Sequence, residues 1–261
     1  MVDLSVSNSN VLTPELTQEL DDLAIACRIL EMEGHGSRTL GHLALRDPEG
    51  RGIWLKRSGL SFSEVFDHRD FVLVDFDGKQ LFGDGKRHSE WPIHTEIMKR
   101  REDINVTAHS HPFYGRVFSA STEPLRSVAQ ARSYFQRPPP RFELTSELIR
   151  TKEVAAEMAE VLADNFAMFL RNHGVVFCGD TLERCTILGV RLEESCREQL
   201  AIGASGLAWS YPDDEEEATR ARGMGGLRNV TDTFAFYRRR LAALEAQGHH
   251  AFPGRRIDAG L

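Results

Sequence analysis

Positive charge is what this 261-residue chain has too little of: 32 Lys and Arg stand against 39 Asp and Glu, a formal charge of −7. Without a general positive field it has little with which to hold a phosphate backbone, which argues against nucleic acid as a partner. Long apolar runs are missing as well. None approaches the ~18 residues that a membrane-spanning helix requires. The first ten residues, Met1 to Asn10, have neither the basic start nor the apolar stretch of a secretory signal. The expectation is a cytoplasmic protein with no membrane partner. Cysteine is scarce too. Cys27, Cys178, Cys185 and Cys196 are scattered with no C-x-x-C among them, so they read as reduced thiols rather than a disulfide or zinc framework.

What remains is an ordinary globular balance, 41% hydrophobic and 27% charged. Thr13-Pro14 is an N-cap and first-turn proline. Leu16, Leu20, Leu23, Cys27 and Leu30 follow at steps of four and three, which predicts a helix over about 14–32. Short β-rich pieces come next: Leu43–Arg46, Ile53–Lys56 and Phe71–Phe76, the last turning at Asp77-Gly78 into Lys79–Phe82. Further helices are predicted over about 90–100, 113–119, 147–163, 181–203 and 230–246, with another opened by the acidic run Asp213–Glu217. Strands are predicted over Asn105–Ser110, Phe166–Leu170 and Val175–Cys178, and Arg137-Pro-Pro-Pro-Arg141 reads as a rigid surface connection. The organisation expected is a flexible N-terminus over 1–12, one mixed α/β domain over 13–246 with a largely antiparallel sheet, and a tail over 247–261.

Histidine carries the chemical signal. In His109-Ser110-His111 the two rings point to one face of an extended strand, where they can converge on a cation. Ten histidines in 261 positions give roughly 0.4 such pairs by chance, so this motif needs company. His173 lies in a Gly-bounded turn between two apolar runs and reads either as a turn-bonding histidine or as a ligand. Glu90, two residues before Pro92, is either a helix cap or a carboxylate working beside a metal, with His94 one turn further on the same face. Three histidines and a nearby glutamate suit a catalytic ion with open positions, and residue type alone does not choose among Zn, Mn, Fe and Co.

In this order the motifs resemble the class II aldolase/adducin family. The chain has Gly41-His-Leu-Ala-Leu-Arg46, Ser58-Gly59, Ser89-Glu90 with His94, His109-Ser-His-Pro112 and Asn172-His-Gly174, together covering about residues 15–205. The resemblance implies a single α/β/α domain on a largely antiparallel sheet. It implies one divalent ion, usually zinc and sometimes manganese, iron or cobalt, held by His109, His111 and His173. Glu90 would be the acid/base, able to move on and off the metal. It also implies a homo-oligomer, commonly a tetramer with active sites between subunits.

The departures from the sugar-phosphate aldolases of that family are informative. His42 stands at their phosphate-binding Asn, Ala44 at the following Ser, and His88 at the first Ser of a pair; only Ser58, Gly59 and Ser89 remain. An amide and two hydroxyls are lost and two imidazoles gained, as in the branch that includes decarboxylases of hydroxylated aromatic or pyridine carboxylic acids. Lys56, Arg57 and Arg87 are then either a carboxylate-binding group or a solvated strand edge. None of Tyr134, Tyr211 and Tyr237 is matched to the proton-donor tyrosine that sugar aldolases take from a neighbouring subunit. The reading is a metal-dependent carbon–carbon lyase acting on a small non-phosphorylated carboxylic acid, decarboxylation favoured, with His42, Ser58, Gly59, His88 and Ser89 on the substrate side. The alternatives are a sugar-phosphate aldolase or epimerase, a non-heme iron oxygenase on the same site, and a non-catalytic adducin-like scaffold.

Overall fold

Thr13 accepts the Leu16 N–H on its side chain at 3.2 Å, and Pro14 then opens helix α1 (Pro14–Leu30). In this computed structural model, residues 11–224 and 227–248 are described. The expected N-terminal segment 1–12 and tail 247–261 lie almost wholly outside the described residues. α1 ends in a wider turn, Glu31–His35, broken by Gly34 at φ +90°, which delivers the chain to the sheet.

That sheet has eight strands: β1 (His42–Arg46), β2 (Ile53–Lys56), β3 (Phe71–Val74), β4 (Gln80–Phe82), β5 (Val106–Ser110), β6 (Arg141–Phe142), β7 (Ala167–Leu170) and β8 (Gly174–Gly179). Their order is β4-β3-β2-β1-β5-β8-β7-β6. Every pairing is antiparallel except β6 with β7. The other helices are α2 (Trp91–Arg100), α3 (Phe113–Ser119), α4 (Lys152–Leu162), α5 (Leu182–Ser205), α6 (Asp214–Met224) and α7 (Leu227–Ala246).

Both faces of the sheet are covered, so central strands read as nearly continuous apolar runs. Alternate residues serve different layers. Leu43, Trp54, Val175 and Phe177 pack with α1, α5 and α7, while Ala44, Leu55, Val176 and Cys178 pack with α2 and α4. The α/β/α sandwich expected from the resemblance is present. Among the described residues no helix is long and apolar enough to cross a membrane.

Two local expectations are corrected. Helix α4 starts at Lys152 rather than near 147, because Thr151 supplies the cap for the Val154 N–H. The stretch before it runs as a strap instead. The proline segment is more than a connection: it ends in β6, where Phe142 accepts the Arg171 N–H at 3.1 Å.

Candidate metal centre

The central strand β5 places the site. Val106 and Ala108 face the α1/α5 layer, so Thr107 and His109 face α2, and His111 follows on that side just past the strand end. Register completes the set: His42 of β1 sits directly opposite His109, with ring centroids 5.2 Å apart. His173 arrives from the β7–β8 turn, where Asn172 takes a left-handed φ of +55°. The next residue must be small. A Cβ on Gly174 would stand 2.6 Å from the Ser110 carbonyl oxygen and 2.9 Å from His111 Cδ2.

His109, His111 and His173 therefore meet, with ring centroids 4.5, 4.9 and 5.2 Å apart in the three pairings. One ring nitrogen of each is oriented for ligation. His109 Nδ1 donates to the Val175 carbonyl at 3.0 Å, which leaves Nε2 as the lone pair. His109 Nε2, His111 Nδ1 and His173 Nε2 are buried without a hydrogen-bond partner. Burial and neighbouring imidazoles push His109 well below its ordinary pKa and His111 down to about 4; burial also lowers His173. All three are neutral at pH 7, the state a ligand must have.

Glu90 occupies the N-cap position of α2, yet its side chain makes no cap bond. Of the two readings left open for it, capping is excluded. Oε1 instead accepts the Ile149 N–H at 2.9 Å, from the strap before α4. Oε2 stands 3.8 Å from His109 Nε2 and 3.9 Å from His42 Nε2, while Oε1 is 3.9 Å from His173 Nε2. These spans are too long for hydrogen bonds. They leave the carboxylate beside the imidazole nitrogens of all three residues without a bond to any of them. Burial pushes the carboxyl up to about 7, against the opposing Ile149 N–H and Arg150 charge.

The residue set fits a divalent cation: neutral imidazoles with unpaired nitrogens and a carboxylate beside them. His109, His111 and His173 lie in one group whose ligand atoms are all within 4.8 Å of one another, and His42, His88 and Glu90 form a second such group. His42 and His88 are in ring contact, with centroids 4.0 Å apart. His94 is a buried bridge rather than a ligand: its Nε2 is 2.6 Å from His42 Nδ1 and its Nδ1 is 2.6 Å from Thr107 Oγ1.

The remaining expected residues lie further out. Ser58, Gly59 and Ser89 are exposed, and Ser58 N–H donates to the Lys86 carbonyl at 2.7 Å, tying the two loops together. Of the basic trio, only Lys56 is withdrawn from the surface, while Arg57 and Arg87 are half-buried. Lys56 is fully buried, with Nζ donating to the Leu60 carbonyl at 2.5 Å; Arg57 pairs with Asp70, and Arg87 donates to the Gly78 carbonyl and lies over Trp91. Thr107 and the Ile149 N–H were not anticipated. Thr107 shares the period-2 face of His109 and was within reach of that pattern, whereas a backbone donor from a distant strap leaves no mark in sequence.

Residues 21–200 match the family described as class II aldolase and adducin N-terminal domain. The chain is 29% identical over 240 residues to a 3,4-dihydroxyphthalate decarboxylase from Arthrobacter keyseri, covering 86% of this chain and 93% of that protein. It is 30% identical over 183 residues to a 4-hydroxy-3-prenylphenylpyruvate oxygenase/4-hydroxy-3-prenylbenzoate synthase from Streptomyces roseochromogenus subsp. oscitans, covering 69% and 65%. Among solved structures, an L-fuculose 1-phosphate aldolase from Glaciozyma antarctica superimposes with a TM-score of 0.77 at 26% identity, covering 90% of this chain and 93% of that one.

Proposed function

The chain belongs to the class II aldolase and adducin N-terminal domain family, and from that premise we propose that it is a divalent-metal-dependent decarboxylase of a small, non-phosphorylated hydroxy-carboxylic acid. The observation that carries this reading is the meeting of three unpartnered, neutral histidine nitrogens beneath the Glu90 carboxylate. The similarity to a 3,4-dihydroxyphthalate decarboxylase over most of both chains supports the choice of reaction. On the substrate side, burial holds His42 well below its ordinary pKa and His88 at about 4. Neither ring then offers the fixed positive charge that would favour a phosphate dianion.

His109, His111 and His173 hold the ion, zinc by preference. When bound, it supplies Lewis-acid stabilisation of the negative charge that develops on a substrate oxygen beside the breaking bond. Loss of CO2 leaves an electron pair on carbon that delocalises into that oxygen. Glu90, whose burial favours the protonated form, gives the proton from Oε2 to this carbon, because Oε1 is engaged by the Ile149 N–H. His42 and His88 orient the substrate's polar edge, and the exposed Ser58, Gly59 and Ser89 form the rim through which it enters. The catalytic domain spans 13–246 and works in a cytoplasmic homo-oligomer, a tetramer by analogy, which light scattering on the purified protein checks.

The test is turnover of metal-loaded protein with 3,4-dihydroxyphthalate and related ortho-hydroxy aromatic dicarboxylates. CO2 release matched to loss of substrate, with no oxygen uptake, is expected. Cleavage of L-fuculose 1-phosphate without any decarboxylation, or turnover that consumes oxygen, would overturn the reading.

A further inference from the structure

His42 and His88 are more unusual than a substrate-facing edge requires. His42 is fully buried and His88 is 9% exposed, yet His42 Nε2 and His88 Nδ1 have no hydrogen-bond partner. Buried polar atoms are rarely left so, and each such atom asks for a reason. The surroundings of His42 resemble those of His109. There, a backbone carbonyl takes the Nδ1 proton and leaves Nε2 bare. In His42 the corresponding acceptor is His94 Nε2, 2.6 Å from Nδ1. His94 in turn sends its Nδ1–H to Thr107 Oγ1 at 2.6 Å. With the protons placed in that sense, the lone pair of His42 is on Nε2, facing Glu90 Oε2 at 3.9 Å. Outer partners that fix a ring's tautomer and orientation in this way are a regular accompaniment of metal-ligating histidine.

We infer that His42 Nε2, His88 Nδ1 and Glu90 form a second divalent-cation site, adjoining the first and sharing Glu90 with it. Each residue offers one ligand atom within 4.8 Å of those of the other two, and all three residues are buried. Glu90 Oε2 is nearly equidistant from His42 Nε2 and His109 Nε2, at 3.9 and 3.8 Å. One carboxylate therefore stands between the two histidine groups, within reach of an ion at either when it is ionised and released from both when it takes up the proton it delivers. Imidazole and carboxylate donors suit Zn, Mn, Fe or Co. Paired ions of this kind sit about 3.5–4 Å apart and clamp two oxygens of one substrate. The two ions bring four positive charges to a pocket whose shared ligand supplies one negative charge. That excess suits a substrate carrying adjacent hydroxyl and carboxylate oxygens. The inference rests on the reading of Glu90 and the three histidines as an ion site.

The test is metal stoichiometry, read without activity. The full-length protein is stripped, equilibrated with Mn(II) and analysed for manganese per chain, with electron paramagnetic resonance on the same samples. His88→Ser and His42→Asn are the variants, since the sugar-phosphate branch of the family carries those residue types at the two positions. Circular dichroism and His111→Ala run alongside. Two manganese ions per chain with a spin-coupled signal are expected in the wild type. In folded His88→Ser, one ion with an uncoupled six-line signal is expected. One ion in both proteins, lost in His111→Ala, overturns the second site and leaves the first standing. No ion in either overturns both. Two ions retained in both His88→Ser and His42→Asn overturn the assignment of ligands.

Discussion

Gly174 bears no functional group, yet the three histidines depend on it. A methyl at this position would press on the Ser110 carbonyl and on His111 Cδ2 at once, and the backbone atom in that contact cannot swing aside. Gly174→Ala is therefore expected to weaken zinc binding by at least the 10–100-fold typical of lost outer-shell support, measured by competition with a chromophoric chelator. Asn172→Gly, which keeps the left-handed φ of +55° accessible, should bind zinc normally. Glu90→Gln makes the complementary case. It should retain metal bound by His109, His111 and His173 yet lose about 10²–10⁴-fold in turnover, the usual share of a general acid; unchanged turnover would remove Glu90 from the chemistry. These residues were legible as motifs because spacing and turn chemistry expose them. Lys56 was not. Its buried ammonium is satisfied by a carbonyl four residues on, and no periodicity announces that a lysine at a strand end folds inward.

The short helix α3 begins immediately after His111-Pro112, so whatever fixes its first turn also fixes a proposed metal ligand. That anchor is Glu193 of α5. Its carboxylate accepts the Tyr114 N–H at 2.9 Å and the Gly115 N–H at 2.7 Å, satisfying two donors that a helix N-terminus otherwise leaves open. Glu193→Ala leaves both unpaired in a buried place, a loss of about 1–3 kcal/mol. Calorimetry should show Tm falling by roughly 2–4 °C per kcal/mol, with weaker metal retention; an unchanged Tm would dismiss the anchor. Elements of this kind divide into those that sequence reveals and those that tertiary contact decides. Pro14, Thr181 and the Asp77-Gly78 turn mark their boundaries with local chemistry, and Ile53–Lys56 was placed to the residue. Helix α4 starts later than its spacing predicts, since 147–151 carries helix-compatible residues. Ile149 is instead drawn into the core while its N–H serves Glu90. Strand β6, two residues long, has too little pattern to be seen, and only the edge of β7 makes it a strand.

Across the whole molecule, the proposed ligands come from β5, the β7–β8 turn, β1 and the approach to α2, so an ion bound there would tie together parts far apart in the chain. Chelation should remove about 4 kcal/mol of stability where the ion had been at a thousand times its Kd, and His109→Ala should show no such loss. The metal-free protein should also be sensitive to acid, and the sign follows from the buried imidazoles. His35 is held at about 4, His88 at about 4, His111 at about 4 and His94 at about 3, each chiefly by burial. Between the ordinary value of 6.5 and those lower ones, the unfolded chain takes up protons that the folded chain refuses. Stability therefore falls as pH falls through this window. His35 alone contributes on the order of 3 kcal/mol over it. Glu90 works the other way. Raised to about 7 from 4.5, it keeps a proton when folded that the unfolded chain releases, so its contribution grows on acidification from 7 to 4.5. Burial raises Glu31, Glu33, Glu193 and Glu198 in the same sense as Glu90, but His42, His109 and His173 are lowered as well, and the histidines outweigh the carboxyls. Differential scanning calorimetry of the chelated protein should thus show Tm dropping steadily from pH 7 to pH 5, and a Tm that held level or rose would mean that these imidazoles are not buried as neutral rings.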